Sequence, residues 1–193
     1  MKRPFEAYAL RGMGTEKPLV DNLLHSFNSL GDTTMQTDPT PEHGWLMRLA
    51  GDWTYAAACP GNESKETPPW TESVRPMGDL WVVARGGGKM PDGSTADTLM
   101  TLGYDPARQR FVGTWAGSMA AYLWVYEGTL DESGTTLTLD TEGPNFMAND
   151  GSMTRFQDII TLTPDGQRSF TARMLGADGA WTTIMTADYH RTA

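Results

Sequence analysis

The chain predicts an all-β protein, an antiparallel up-and-down β-barrel of about ten strands, with a short helix before the first strand and an amphipathic helix near the N-terminus. Three observations carry this expectation. From residue 52 onward apolar residues recur with a period of two over short stretches. Those stretches are separated by tight-turn sequences such as Pro91-Asp92-Gly93, Pro164-Asp165-Gly166 and Ala177-Asp178-Gly179. No helical pattern intervenes, so consecutive strands pair as hairpins and closure removes the exposed edges.

Taken in order, residues 1–17 carry Pro4, Gly12 and Gly14 without a period and read as a poorly ordered arm. Over residues 18–30, Leu19, Val20, Leu23, Leu24, Phe27 and Leu30 fall on one helical face, and Gly31 supplies a C-terminal stop. A helix of this length needs an apolar partner, either the outside of the barrel or a second copy of the chain in a homodimer. Its polar face, with Asp21, Asn22 and His25, lacks the row of lysines that a membrane surface would attract. Residues 31–40 have a Pro/Thr/Asp linker composition, so the chain divides into an extension, 1–40, and a barrel domain, 41–193. Met35 offers a second translation start, which would make residues 1–34 accessory. Pro41-Glu42 opens a short helix with Trp45, Leu46 and Leu49 on one side, ending near Gly51. Strands are expected at 52–58, 70–75, 80–89, 96–104, 110–116, 122–130, 136–142, 152–162, 169–175 and 180–190.

Alternation groups Tyr122, Trp124 and Tyr126 on one face, and Phe111, Gly113 and Trp115 on another. Apolar residues occur on both faces in places, so periodicity leaves open which one is interior. The run Arg85-Gly86-Gly87-Gly88-Lys89 lacks the spacing and hydroxyl of a phosphate-binding loop and reads as a twist, a bulge or a close backbone approach.

Composition excludes several classes. With 15 Lys+Arg against 24 Asp+Glu the formal net charge is -9, which opposes nucleic-acid backbones and anionic membranes. Cys59 is the single cysteine, so neither an internal disulfide nor a cysteine-rich zinc module can form. The first ten residues do not compose a signal peptide and no window spans a bilayer, which points to the cytoplasm. Asn62-Glu63-Ser64 then reads as a polar turn. His25, His43 and His190 are not grouped at metal-ligand spacing, and neither a metal nor a cofactor is expected. Gly117-Ser118 lacks the partners of a hydrolytic triad.

What stands above background is 7 Trp, 6 Tyr, 6 Phe and 12 Met in a small barrel. Such side chains suit an interior that holds one small hydrophobic or amphipathic molecule. Trp81, Trp115, Trp124 and Tyr126 are the wall candidates, and Arg85 or Arg155 the anchor for an acidic head group; Arg173 is a third strand arginine. A rival reading is an enzyme with an acid or base among Asp97, Glu127, Asp140 and Asp158, of which Glu127 and Asp158 are expected to face outward. A third is a structural or interaction protein whose barrel is filled.

A short helix followed by Gly51-Asp52-Trp53 resembles the opening of calycin barrels, the lipocalins and their relatives. The resemblance implies that a late arginine, here Arg191, packs across Trp53 and closes the barrel base. It also implies that a histidine near the C-terminus, as in haem-binding relatives, would be His190; alternation turns that residue outward if Arg191 faces in. The span from His43 to Arg191 is similar to the bacterial family called domain of unknown function 1579. The resembling segments are His43-Gly44-Trp45-Leu46, Leu49-Ala50-Gly51-Asp52-Trp53, Leu80-Trp81-Val82-Val83, Leu102-Gly103-Tyr104-Asp105, Arg110-Phe111-Val112-Gly113-Thr114-Trp115 and Asp140-Thr141-Glu142-Gly143-Pro144. That likeness implies a fold and a bacterial origin, and no activity.

Overall fold

The computed structural model describes residues 38–60, 68–148 and 150–192. The helix expected at 18–30, its dimer contact and the linker up to residue 37 lie outside the described residues.

Thr40 opens the helix α1 (Pro41–Met47), with proline in its first turn where no amide hydrogen is required. His43 reaches back so that its Nδ1 accepts the Thr40 amide hydrogen at 3.0 Å, the part usually played by Glu or Gln in a capping box. Accepting there leaves the ring proton on Nε2. His43, Trp45 and Leu46 are buried, which orients α1 with one face against the sheet.

Ten strands follow: β1 (Gly51–Ala58), β2 (Trp70–Met77), β3 (Trp81–Lys89), β4 (Thr95–Asp105), β5 (Arg110–Gly117), β6 (Trp124–Leu130), β7 (Thr136–Pro144), β8 (Met153–Leu162), β9 (Arg168–Leu175) and β10 (Trp181–Arg191). Each pairs antiparallel with its neighbours in sequence, and β1 pairs with β10, so the sheet is a closed up-and-down barrel. The expected bounds shift by one or two residues at most ends. Tyr122 falls before β6, in the turn after β5, where its hydroxyl donates to the Glu142 carbonyl at 3.1 Å.

α1 and the barrel seam form one closed end. Trp45 donates its indole hydrogen to the Gly134 carbonyl in the β6–β7 turn at 2.9 Å. Trp53, 1% exposed, donates to the Leu49 carbonyl at 3.0 Å. Its register partner on β10 is Arg191, whose guanidinium carbon lies 4.2 Å from the indole centroid. The same guanidinium donates to the carbonyls of Ala50 at 2.9 Å and Arg48 at 3.1 Å, groups that the end of α1 leaves without helical partners. Gly51 makes this possible in two ways: its φ of +147° is costly for other residues, and a Cβ there would stand 2.3 Å from Arg191 Nη1. Above this plug, Leu102, Phe111, Leu137 and Leu162 fill the closed half of the barrel.

Three variants probe this end by chemical denaturation. Trp53→Ala should lose about 3–5 kcal/mol as a large-to-small change in a packed site. Gly51→Ala should also destabilise, through both backbone and clash. Arg191→Lys keeps the charge but loses the planar stack and the forked donors, and should fall between Trp53→Ala and the parent.

Candidate functional site

Strand alternation sends every second side chain inward, and burial identifies which set. On β8 the inward positions are Phe156, Asp158, Ile160 and Leu162; on β9 they are Arg168, Phe170, Ala172 and Met174. In the closed half these side chains meet. In the half away from α1 they do not, leaving a cavity of about 450 Å³ that reaches the rim near Cys59, Met90 and Met119.

Indoles and glycines shape its wall together. Trp70 on β2 lies over Gly88, and Trp124 on β6 over Gly143, so closely that a Cβ on either glycine would come within 2.4 Å and 2.5 Å of the ring. In each pair the glycine sits on the adjacent strand opposite the tryptophan, and the missing side chain is the space the ring fills. The glycine run of β3 therefore acts through close approach; the Trp70 indole also donates to the Lys89 carbonyl at 3.1 Å. Trp115 meets Trp124 edge-on, with centroids 5.2 Å apart.

The cavity floor is polar. Arg168 and Glu72 form an ion pair at 2.5 Å, their side chains 3% and 11% exposed. The Arg168 guanidinium carbon sits 4.0 Å from the Tyr189 ring centroid, and Tyr189 stacks on Tyr55 with centroids 4.3 Å apart. Burial, reinforced by the Glu72 carboxylate, pushes the Tyr55 hydroxyl up to about 12 and Tyr189 well above the usual phenol range. Both phenols stay protonated at any physiological pH.

A second polar group stands on the wall. Tyr126 donates to Asp158 Oδ2 at 2.5 Å. Loss of hydration raises the Asp158 carboxyl from 3.8 to about 6, and the hydrogen bond from Tyr126 opposes that rise. Asp158 keeps some accessible surface, but that surface is cavity wall, not bulk solvent. On β7, between the strands of Tyr126 and Asp158, the cavity-lining Thr141 hydroxyl is buried without a hydrogen-bond partner.

Of the side chains singled out from sequence, Trp115, Trp124 and Tyr126 line this cavity. Trp81, Arg85 and Arg155 do not. They have the opposite parity to the buried Val82, Ala84 and Phe156, so they stand on the outer face. Trp81 lies there over Gly103, Arg85 is exposed, and Arg155 lies 6.0 Å from the Trp181 ring, which Arg173 also flanks at 5.7 Å. Among the carboxylates, Asp97 is exposed, Glu127 pairs with Arg108 outside, and Asp140 accepts a hydrogen bond from Gln157 at 2.9 Å. Asp158 reverses the outward expectation, since its parity with Phe156 and Ile160 turns it in. His190 faces outward beside Thr54, and His43 is absorbed by the cap of α1. Sequence reasoning missed Arg168 and Glu72. The strand expected at 169–175 begins one residue past Arg168, whose parity with Phe170 and Ala172 marks it as inward; Glu72 shares parity with Trp70 and Val74.

Among the described residues no group of three or more His, Cys, Asp and Glu is placed to hold a metal ion, and no helix is long and apolar enough to cross a membrane. Residues 38–191 match the family described as "Protein of unknown function (DUF1579)". No curated protein matches the chain. Among solved structures, the crystal structure of Rv2717c from M. tuberculosis aligns at 16% identity with a TM-score of 0.56, covering 81% of this chain and 100% of that one. A redesigned β-barrel aligns at 12% identity with a TM-score of 0.40, covering 78% and 95%. The first likeness shows the fold.

Asp158 should leave a signature in stability. Its folded carboxyl holds a proton up to about 6 while the unfolded one releases it near 3.8, so the native state binds more protons in that window. Stability therefore falls as pH rises from about 4 to about 6, by roughly 2–3 kcal/mol from this group. Asp158→Asn removes that loss: thermal melts should show the variant more stable than the parent at pH 7.5 and equal to it near pH 4.

Proposed function

The chain belongs to the DUF1579 family, and from its cavity we propose that it is a receptor for one small, largely apolar molecule with a polar end. The observation that carries this reading is the cavity of about 450 Å³ walled by Trp70, Trp115, Trp124 and Phe156, with a polar cluster at its depth and another on one wall. An aromatic wall offers area to an apolar body, and a few fixed polar groups orient it. The two indole–glycine pairs hold the wall in shape before anything enters, which lowers the entropy lost on binding.

The Asp158–Tyr126 contact favours a second reading, an enzyme. A carboxyl group that titrates near neutrality beside a phenol, away from bulk water, is suited to general acid–base work on a bound molecule. Turnover of any co-purified compound by the parent and its loss in Asp158→Asn would support it.

Native mass spectrometry and tryptophan fluorescence test the receptor reading. A small apolar compound should co-purify or, when added, change the emission of the wall indoles. Ala172→Phe, which pushes a ring into the cavity, should abolish that response while leaving the circular dichroism of the barrel unchanged. A parent protein that takes up no apolar probe overturns the proposal.

A further inference from the structure

The receptor reading leaves the charge of the ligand open, and the groups that face the interior bear on its sign. An acidic head group would need a free cation inside. Among the described residues the inward-facing arginine of the cavity is Arg168, and Glu72 already neutralises it at 2.5 Å. Arg85, Arg155 and Arg173 stand outside. Lys89 stands at the rim on the outward parity of β3, where it donates to Thr95 and has no ion pair among the described residues; on the inner face the unmatched charge is negative. Asp158 has Tyr126 as its protein hydrogen-bond donor, on Oδ2, and no ion pair among the described residues. Burying a carboxylate without a counter-charge is costly, and an incoming cation removes that cost.

A second observation points to the same place. Thr141 is 9% exposed, lines the cavity, and its Oγ1 has no partner. In the β7–β8 register Thr141 opposes Phe156 and Leu139 opposes Asp158, so Thr141 and Asp158 are diagonal neighbours on the inner face. A group with several hydrogens to donate can reach both. Trp124, Tyr126 and Phe156 line the same cavity, and an aromatic face presented to a cation attracts it.

We propose that the ligand is an amphipathic organic amine, its protonated nitrogen held by the Asp158 carboxylate and the Thr141 hydroxyl and its apolar body lying against the indole wall. This rests on the receptor reading above. The chain's formal net charge of -9 draws such a cation toward the rim. Other ionisable groups around Asp158 do not compete for it. Tyr126 on β6, with Tyr55 and Tyr189 on the floor, is a neutral phenol, and Glu72 is matched by Arg168. At the rim, Cys59 and Lys89 line the entrance.

Matched probes separate the outcomes: octylamine, octan-1-ol and octanoate, titrated into the full chain and followed by tryptophan fluorescence and calorimetry. At pH 7.5 octylamine should bind about tenfold more tightly than octan-1-ol, with octanoate weakest. Because Asp158 protonates near 6, the amine's affinity should drop about tenfold between pH 7.5 and pH 5, while the alcohol's changes little. Asp158→Asn should bring the amine-to-alcohol ratio toward one. Tyr126→Phe removes the donor that holds the Asp158 carboxyl down, so it is read at about pH 9, where the carboxylate stays ionised; there it should preserve or increase that ratio, so the inference stays open to refutation even if the aspartate variant folds poorly. If octan-1-ol binds but octylamine is no tighter, or octanoate is tightest, this inference is overturned and the receptor reading stands. If none of the three binds, both are overturned.

Discussion

A guanidinium laid over an indole joins the first strand of this barrel to the last. The attraction itself is modest, about 0.5–2 kcal/mol for a partly desolvated pair. Its larger effect is on register, because side chains alternate with a period of two and a slip by one residue would exchange the inner and outer faces of β1 against β10. Arg191 can cover Trp53 and also reach the carbonyls of Arg48 and Ala50 in one alignment only. Around this point the buried ion pair adds a second clasp. Glu72 is the register partner of Trp53 on β2, and Arg168 is the partner of Tyr189 on β9, so their contact spans the seam from β2 across β1 and β10 to β9. Neither contact exists until the sheet closes.

The two ends of the barrel are thereby given different work. At the α1 end, leucines and aromatic rings pack to a buried apolar core under the helix. At the other end the inward side chains leave space, and the boundary between the halves is the Glu72–Arg168 pair with its two tyrosines. A buried pair of this kind adds little net stability over an apolar replacement. What it provides is a floor that is polar yet electrically neutral, so that the charge of Asp158 dominates the space above it.

The architecture was legible because its signals are local and repeated: period-two stretches, Asp-Gly and Gly-containing turns, a proline at the start of α1, and a Gly-x-Trp opening whose arginine partner could be named. The site was less legible for two reasons. Aromatic residues occur on both faces, so Trp81 and Trp124, each opposite a glycine on the neighbouring strand, look alike in sequence although one is outside and the other inside. Charge ordinarily faces water, and Asp158, Arg168 and Glu72 all depart from that rule; only Asp158 was singled out from the sequence, and with the outward expectation. In each case the parity of flanking residues held the answer: Phe156 and Ile160 for Asp158, Phe170 for Arg168, Trp70 and Val74 for Glu72. The arginines that drew notice, Arg85 and Arg155, have the parity of exposed neighbours.

The indole–glycine pairs also constrain how such a cavity can change over time. Trp70 with Gly88 and Trp124 with Gly143 are each one unit of shape written on two strands. Enlarging the glycine alone drives a Cβ into the ring, and trimming the tryptophan alone uncovers a bare stretch of backbone. Either single step is a loss, whereas the double replacement, a smaller ring facing a residue with a side chain, restores a filled wall with a different contour. Selection for a different interior contour would therefore move through paired substitutions on neighbouring strands, and related barrels with differently shaped interiors should differ at these positions two at a time.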